Sequence, residues 1–201
     1  MLPLEPLLTA LSKAPLMAVH GPWVRAVALA DLAGPPPGLS GSPQPLWGGG
    51  PPIGGGRYTP RGGCDALYLA SDVATALAEV QALVFLPQGV ATVPSFPWAL
   101  VPVDGIVSRV LDLTVPSALK AFGTNEQELT GVWQAMAAAP TQVLGQAAFD
   151  SGRISAIRYR SAKNLGGGIN LVVFPTRLLS TPTDYLEVMD LRGHLTQRIG
   201  A

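Results

Sequence analysis

Two arginines stand among clustered glycines in the first third of the chain, in a pattern that can bind an anion. Gly54, Gly55 and Gly56 precede Arg57, and Arg61 is followed directly by two more glycines. Glycine lets backbone N–H groups approach an anion closely, and arginine adds bidentate donors. The segment matches neither the P-loop nor the dinucleotide-binding glycine pattern. A phosphate cradle and a flexible surface loop with incidental arginines therefore both remain open.

Three further side chains have types suited to chemistry on a sugar. Glu79 lies on the flank of an apolar stripe at helical spacing, and a carboxylate near a sugar C1 stabilises positive charge that develops there. Tyr68 offers a ring for stacking and a hydroxyl for a hydrogen bond. Ser161 can orient a catalytic group or bind a ligand. Each also has an ordinary explanation, as a solvated helix flank, a core aromatic residue and a polar loop residue.

Arg25 lies in a compact apolar segment, where a charge needs a partner. That partner is either a carboxylate of the fold or an anionic ligand. No G-x-S-x-G pattern surrounds Ser161, so a nucleophilic serine is not indicated.

Composition excludes several classes of protein. Hydrophobic residues make up 48%, which excludes a disordered chain. Lys plus Arg and Asp plus Glu are 13 each, so a nucleic-acid binder that works by bulk positive charge is not expected. One cysteine, Cys64, excludes an intramolecular disulfide, and with two histidines it does not suggest a zinc site. With no signal peptide or spanning segment indicated, we expect a cytoplasmic protein.

The elements that must position these residues follow from local patterns. Residues 23–30 predict a buried strand that carries Arg25. Residues 34–63 contain 11 Gly and 8 Pro, so neither a regular helix nor a central strand is expected there. Residues 66–71 predict a strand with Tyr68, and Asp72 caps a helix that carries Glu79 and runs to residue 85.

The rest of the chain predicts a mixture of helices and hairpins. The predicted elements are a first helix around 4–13, a hairpin of 98–103 with 106–113 around Asp104-Gly105, a helix from the capping box at 124–127 to 139, a helix over 141–149, and strands 154–159 and 169–174 joined by the loop that holds Ser161. This order predicts an α+β fold.

Taken in order, these features resemble the RES domain, the toxin component of RES–Xre toxin–antitoxin pairs. The resemblance rests on Gly55-Gly56-Arg57-Tyr58, a glycine at 62 or 63, the strand ALYLAS over 66–71 and the helical TALAE over 75–79. A looser match covers 152–174, and Arg25 stands where the family has an early arginine. The likeness extends over roughly 23–178, which indicates a single RES-like domain over 1–201. Residues 34–53 are then a Gly/Pro-rich insertion, and 1–20 and 180–201 are terminal extensions.

The resemblance implies an ADP-ribosyltransferase-like fold, with a small mixed β-sheet core, surrounding helices and a cleft for NAD. It implies cleavage of the nicotinamide–ribose bond by hydrolysis or phosphorolysis, with NAD as substrate and no metal. The catalytic residues would be Glu79, Arg57, Tyr68 and Ser161, and the NAD contacts Arg25, Arg57, Tyr58, Tyr68 and Ser161. The implied partner is an Xre-type antitoxin. A protein ADP-ribosyltransferase and an inactive interaction module remain the alternatives.

Overall fold

The fold is built around one large sheet whose strands come from the whole length of the chain. The computed structural model describes residues 1–33, 43–95, 97–164, 166–190, 192–193 and 195–200. The strands are β1 Met17–His20, β2 Trp23–Ala28, β3 Leu67–Ala70, β4 Leu83–Leu86, β5 Gly89–Thr92, β6 Trp98–Asp112, β7 Ala156–Arg160, β8 Ile169–Val173, β9 Tyr185–Met189 and β10 Thr196–Gly200. The helices are α1 Leu4–Lys13, α2 Leu29–Ala33, α3 Gly50–Gly54, α4 Val73–Glu79, α5 Pro116–Ala121, α6 Glu126–Thr130 and α7 Pro140–Asp150.

The strands of the main sheet lie in the order β10-β9-β6-β2-β3-β8-β7, with β1 added beside β6. The end strand β7 also pairs in parallel with β6, through Val110 opposite Ala156. The path from β6 through β2, β3 and β8 to β7 therefore returns to β6. This mixed sheet and the helices around it confirm the predicted α+β class.

Alternation along the strands sends neighbouring side chains into two different hydrophobic cores. On β8, Val172 faces the core that includes Tyr58 and Phe174, whereas Leu171 and Val173 face the other core. The first core is covered by α1 and α7. The site residue Tyr68 packs against this helix-covered core.

Several predicted elements are confirmed, among them α1, the β3 strand, α7 and the β7–β8 pair. The predicted hairpin around Asp104-Gly105 is wrong, because this segment is the middle of the single strand β6. Both halves of β6 pair antiparallel, with β2 and with β1, and this keeps the segment extended. A Cβ at residue 105 would lie 2.1 Å from the Tyr185 carbonyl oxygen, so the close approach of β9 requires this glycine.

The helix predicted to run to residue 85 is too long. It ends at Glu79, and Gln81 has a φ of 60°, which breaks the helical path. The apolar, β-branched run that follows forms the two-stranded β4–β5 sheet instead. Glu79 is therefore the last residue of α4.

The helix predicted over 124–139 is also wrong, because α6 contains only Glu126–Thr130. Its cap is Asn125, whose side chain accepts from the Glu128 N–H, and the chain leaves the helix at Gly131. Residues Trp133–Ala135 then form a short 3-10 turn. The helix α5, whose first turn begins with Pro116, was not predicted.

Part of the Gly/Pro-rich segment contradicts the prediction that it has no helix. Residues Gly50–Gly54 form the short helix α3, whose prolines stand in the first turn, where a missing N–H costs nothing. Residues 34–42 of the insertion lie outside the described residues. In the described part of the chain, no helix is both long and apolar enough to cross a bilayer.

Asp72 fixes the start of α4, as predicted. Its carboxylate accepts from the Thr75 N–H at 2.8 Å, from the Thr75 hydroxyl at 2.7 Å and from the Ser71 hydroxyl at 2.8 Å. Partial burial acts to raise the pKa of Asp72, but the hydrogen bonds from Thr75 and Ser71 outweigh it and lower the pKa. The cap thus sets the direction of the helix that carries Glu79.

Candidate functional site

A cavity of about 720 Å³ opens between α4, the β3–β8 part of the sheet and the segment that follows α6. Its volume is in the usual range for a small-molecule site. Three of the predicted catalytic residues, Arg57, Tyr68 and Glu79, line it. The cavity also has aromatic walls from Tyr159 and Trp133. The structure therefore brings together side chains that lie up to about a hundred residues apart in sequence.

Glu79 is half-buried at the C-terminal end of α4, and one of its oxygens is held by two donors. Its Oε1 accepts from the Ser161 hydroxyl at 2.7 Å and from the Asn170 side-chain amide at 2.6 Å. Within the described residues, no group donates to Oε2. The second oxygen is therefore the one left for a ligand in the cavity.

Ser161 is buried, at 8% exposure, at the start of the loop after β7. Its Oγ accepts from the backbone N–H groups of Lys163 at 3.1 Å and Asn164 at 2.9 Å. With its lone pairs occupied in this way, the hydroxyl hydrogen is directed to Glu79. The Asn164 side chain fastens the same loop to α4 by donating to the Thr75 hydroxyl at 2.8 Å.

Asn170 is a site residue that the sequence analysis missed. It lies on β8, is 2% exposed and lines the cavity. Its strand is a run of apolar residues, GINLVVF, with this one amide inside it. A buried amide needs a hydrogen-bond partner, so its presence in that run was a usable signal.

Arg57 lines the cavity and also fastens one of its walls. Its Nη1 donates to the carbonyl oxygens of Leu129 at 2.6 Å and Gly131 at 3.0 Å. The residues from Thr130 onward, which include Trp133, form that wall. The guanidinium thus links the glycine-rich turn, which spans residues 55–59, to the segment after α6.

Tyr68 presents its ring to the cavity and anchors the same glycine-rich turn through its hydroxyl. The hydroxyl accepts from the Tyr58 N–H at 3.0 Å and lies 3.0 Å from Thr59 Oγ1. Burial raises the pKa of Tyr68 to about 12. A Cβ on residue 56 would come within 2.5 Å of the hydroxyl oxygen, so this approach requires Gly56.

Three residues predicted to contact NAD, Tyr58, Arg25 and Ser161, do not line the cavity. Tyr58 is 0% exposed, packs on Tyr159 with 4.6 Å between ring centroids, and has a pKa raised by burial. Arg25 donates to the carbonyl oxygens of Pro45 at 2.5 Å and Trp47 at 2.8 Å. Burial lowers the pKa of Arg25 to about 10, and a weaker interaction with Asp31 opposes the shift. Its hydrogen-bond partners are therefore carbonyl oxygens of the fold, and the carboxylate of Asp31 acts on it through its charge.

The cavity can bind a ligand that has aromatic and hydroxyl groups. Tyr68, Tyr159 and Trp133 offer ring surfaces, and Glu79 offers a carboxylate oxygen. Arg57 and Lys163 add positive charge at the wall. Among the described residues, no group of three or more His, Cys, Asp or Glu side chains is arranged to hold a metal ion.

Comparisons with known proteins agree with this architecture. A search of solved structures finds similarity to a chain in the crystal structure of the M. tuberculosis MbcT–MbcA toxin–antitoxin complex, with a TM-score of 0.67 and 21% identity. The match covers 98% of this chain and 93% of that chain. No curated protein sequence matches. The model of the RES domain matches residues 32–190, so the chain belongs to the RES domain family.

Proposed function

We propose that this protein is the toxin of a toxin–antitoxin pair and that it cleaves NAD at the nicotinamide–ribose bond. The observation that carries the proposal is Glu79, which has Oε1 held by Ser161 and Asn170 and Oε2 left for a ligand. Membership of the RES domain family supports the proposal. The structural similarity to a chain of a toxin–antitoxin complex is consistent with it.

The reaction needs stabilisation of positive charge on the ribose. When the bond between ribose C1 and the nicotinamide nitrogen breaks, its electron pair returns to the ring nitrogen and nicotinamide leaves as a neutral molecule. The ribose is left with oxocarbenium character, which a nearby carboxylate stabilises. Glu79 Oε2 would accept a hydrogen bond from a ribose hydroxyl. Water or phosphate would then add to C1, and a water that adds would release its proton to solvent.

The other residues of the cavity have supporting roles in this proposal. The Tyr68 ring would stack on nicotinamide. Arg57, which links the glycine-rich turn to the segment after α6, would face the pyrophosphate. Ser161 would keep Glu79 in place. Because Arg25 and Tyr58 lie off the cavity, we assign them to supporting its walls and not to direct contact with NAD.

The proposed partner is an Xre-type antitoxin that blocks the cavity in the cytoplasm. Such a toxin needs an inhibitor, because unrestrained NAD cleavage would harm the cell that makes it. A toxin–antitoxin complex is also the subject of the similar crystal structure. Co-expression with the product of the neighbouring gene, followed by co-purification, tests this part of the proposal.

The deciding experiment measures free nicotinamide released from NAD by purified protein, with and without phosphate. Glu79→Gln should lower the rate of nicotinamide release by a factor of about a hundred to a thousand, whereas Glu5→Gln, the same change on the exposed face of α1, should keep it. A phosphate requirement would identify a phosphorylase, and release without phosphate a hydrolase. If label from NAD instead appears on protein, the chain is an ADP-ribosyltransferase. A folded wild type that neither releases nicotinamide nor transfers label would refute NAD cleavage.

A further inference from the structure

We propose that Asn170 is a positioning residue for Glu79, and that its amide keeps Oε2 of the carboxylate directed to the ribose. This inference rests on the proposed NAD-cleaving function. Asn170 acts through Glu79 and does not itself contact the reacting atoms. It extends the site by one residue, on a strand for which the sequence analysis predicted no site residue.

The support that Asn170 gives is rigid because of its place in the sheet. Its strand β8 lies between β3 and β7, and its backbone is paired with Ala70 on one side and Tyr159 on the other. The side chain is 2% exposed. A donor fixed on both sides in this way has little freedom to follow a moving partner. Glu79, in contrast, stands at the very end of a helix of seven residues.

The hydrogen bonds explain why this contact sets the orientation of the carboxylate. The Asn170 amide nitrogen is 2.6 Å from Glu79 Oε1, and the Ser161 hydroxyl is 2.7 Å from the same atom. Two donors on one oxygen fix the rotation of the carboxylate plane. An amide nitrogen also donates at every ordinary pH, because it does not titrate. Asn170 is thus a permanent donor, which a carboxyl or imidazole group in its place would not be.

The alternative is that Asn170 only fills its place in the strand and that Glu79 does not depend on its amide. The substitution Asn170→Asp separates the two explanations, because it keeps the size and replaces the donor nitrogen with an oxygen. Two carboxyl groups at this distance share a proton at lower pH, and the introduced group then donates to Glu79. At higher pH both groups are ionised and repel each other.

Few other groups near this amide can produce such a pH dependence. Among the described residues that line the cavity with Asn170, the titratable side chains are Tyr159 on β7, Tyr68 on β3 and Glu79 on α4, and Arg57 and Lys163 carry the positive charges. Burial raises the pKa of both tyrosines above their ordinary value, so neither loses a proton between about pH 5 and pH 8. A pH dependence of kcat that appears only in Asn170→Asp therefore reports on the introduced carboxyl group and its interaction with Glu79.

The experiment measures kcat and KM for nicotinamide release between about pH 5 and pH 8, with the fold of each variant checked by circular dichroism at each pH. For Asn170→Asp, the ratio of its kcat to that of the wild type should fall about ten- to hundredfold as the pH rises. Asn170→Leu, similar in size and without a donor, should have a low kcat at every pH and a nearly unchanged KM. Asn125→Asp is the matched control, because residue 125 acts as an acceptor at the cap of α6. The ratio of the kcat of Asn125→Asp to that of the wild type should therefore not change with pH.

The outcomes separate this inference from the proposed function. A wild type without NAD turnover overturns both. A wild type that turns over NAD, together with an Asn170→Asp ratio that stays flat across the pH range, overturns only the positioning role. A loss that appears in KM alone would also overturn it, because a positioning residue for the carboxylate acts on the transition state.

Discussion

Two tyrosines ten residues apart should respond in opposite ways to the loss of their hydroxyl groups. The Tyr68 hydroxyl accepts from the Tyr58 N–H at 3.0 Å and lies 3.0 Å from Thr59 Oγ1. Thr59 is 0% exposed. Tyr68→Phe therefore leaves one buried N–H and one buried hydroxyl without this partner. Each such group costs about 1 to 3 kcal/mol, so we expect the free energy of unfolding to fall by about 2 to 6 kcal/mol.

Tyr58→Phe is the matched control, because the Tyr58 hydroxyl is buried and has no hydrogen-bond partner among the described residues. Its removal breaks no hydrogen bond and takes away a buried polar atom whose desolvation costs free energy. The ring contact with Tyr159, at 4.6 Å between centroids, is kept. We expect the free energy of unfolding to stay the same or to rise by about 1 kcal/mol.

Urea unfolding of both variants and the wild type, followed by circular dichroism, measures these differences. For a chain of this size, the loss in Tyr68→Phe corresponds to a midpoint of thermal unfolding lower by about 4 to 24 °C. The reasoning would be refuted if Tyr68→Phe were as stable as the wild type. It would also be refuted if Tyr58→Phe lost as much stability as Tyr68→Phe, since the two hydroxyls would then be equivalent.

Three other predictions concern stability. Burial raises the pKa of Tyr68 from 10.0 to about 12, so the unfolded chain releases this proton first. Thermal stability should therefore fall as the pH rises from 10.0 to about 12, which thermal unfolding across this pH range measures. Gly145→Ala would place a Cβ 1.9 Å from the Tyr58 carbonyl oxygen and should leave little folded protein. Gly54→Ala, whose Cβ would have nothing within 4 Å, should change the free energy of unfolding by less than about 0.5 kcal/mol. Thermal unfolding of the soluble fraction compares the two variants. Asp72→Ala should lower stability by about 1 kcal/mol through loss of the α4 cap. Since the folded pKa of Asp72 lies below 3.8, this contribution is present above that pH and is lost as the pH falls through the folded value, so an unfolding series from neutral to acidic pH should show the variant and wild type converging.

Local patterns in the sequence were sufficient for the elements whose signals are local. The strand with Tyr68 and the Asp72 cap of the next helix were both predicted, and the structure has them. Their chemistry depends on a few neighbouring residues, which the sequence displays directly. The resemblance to the RES domain implied that Arg57, Tyr68 and Glu79 share one cleft, and all three line the cavity.

The wrong predictions arose where distant contacts override a local signal. Asp104-Gly105 is a strong hairpin signal, but the pairing of β6 with β1 and β2 keeps it extended, and its glycine serves the close approach of β9. For Arg25, the sequence left a carboxylate of the fold and an anionic ligand open as partners, and the structure shows its guanidinium donating to the carbonyl oxygens of Pro45 and Trp47. No local pattern reveals which carbonyls a distant loop will supply.

The support of Glu79 shows the same limit and explains what the candidate site depends on. Its two donors lie 82 and 91 residues away in sequence, and they reach it only when β8 is paired between β3 and β7. A helix of seven residues has little stability of its own, so α4 cannot hold the carboxylate in one orientation without them. The geometry of Glu79 is therefore a property of the completed sheet. Substitutions that loosen the β3–β8 pairing should reduce turnover even where they touch no residue of the cavity.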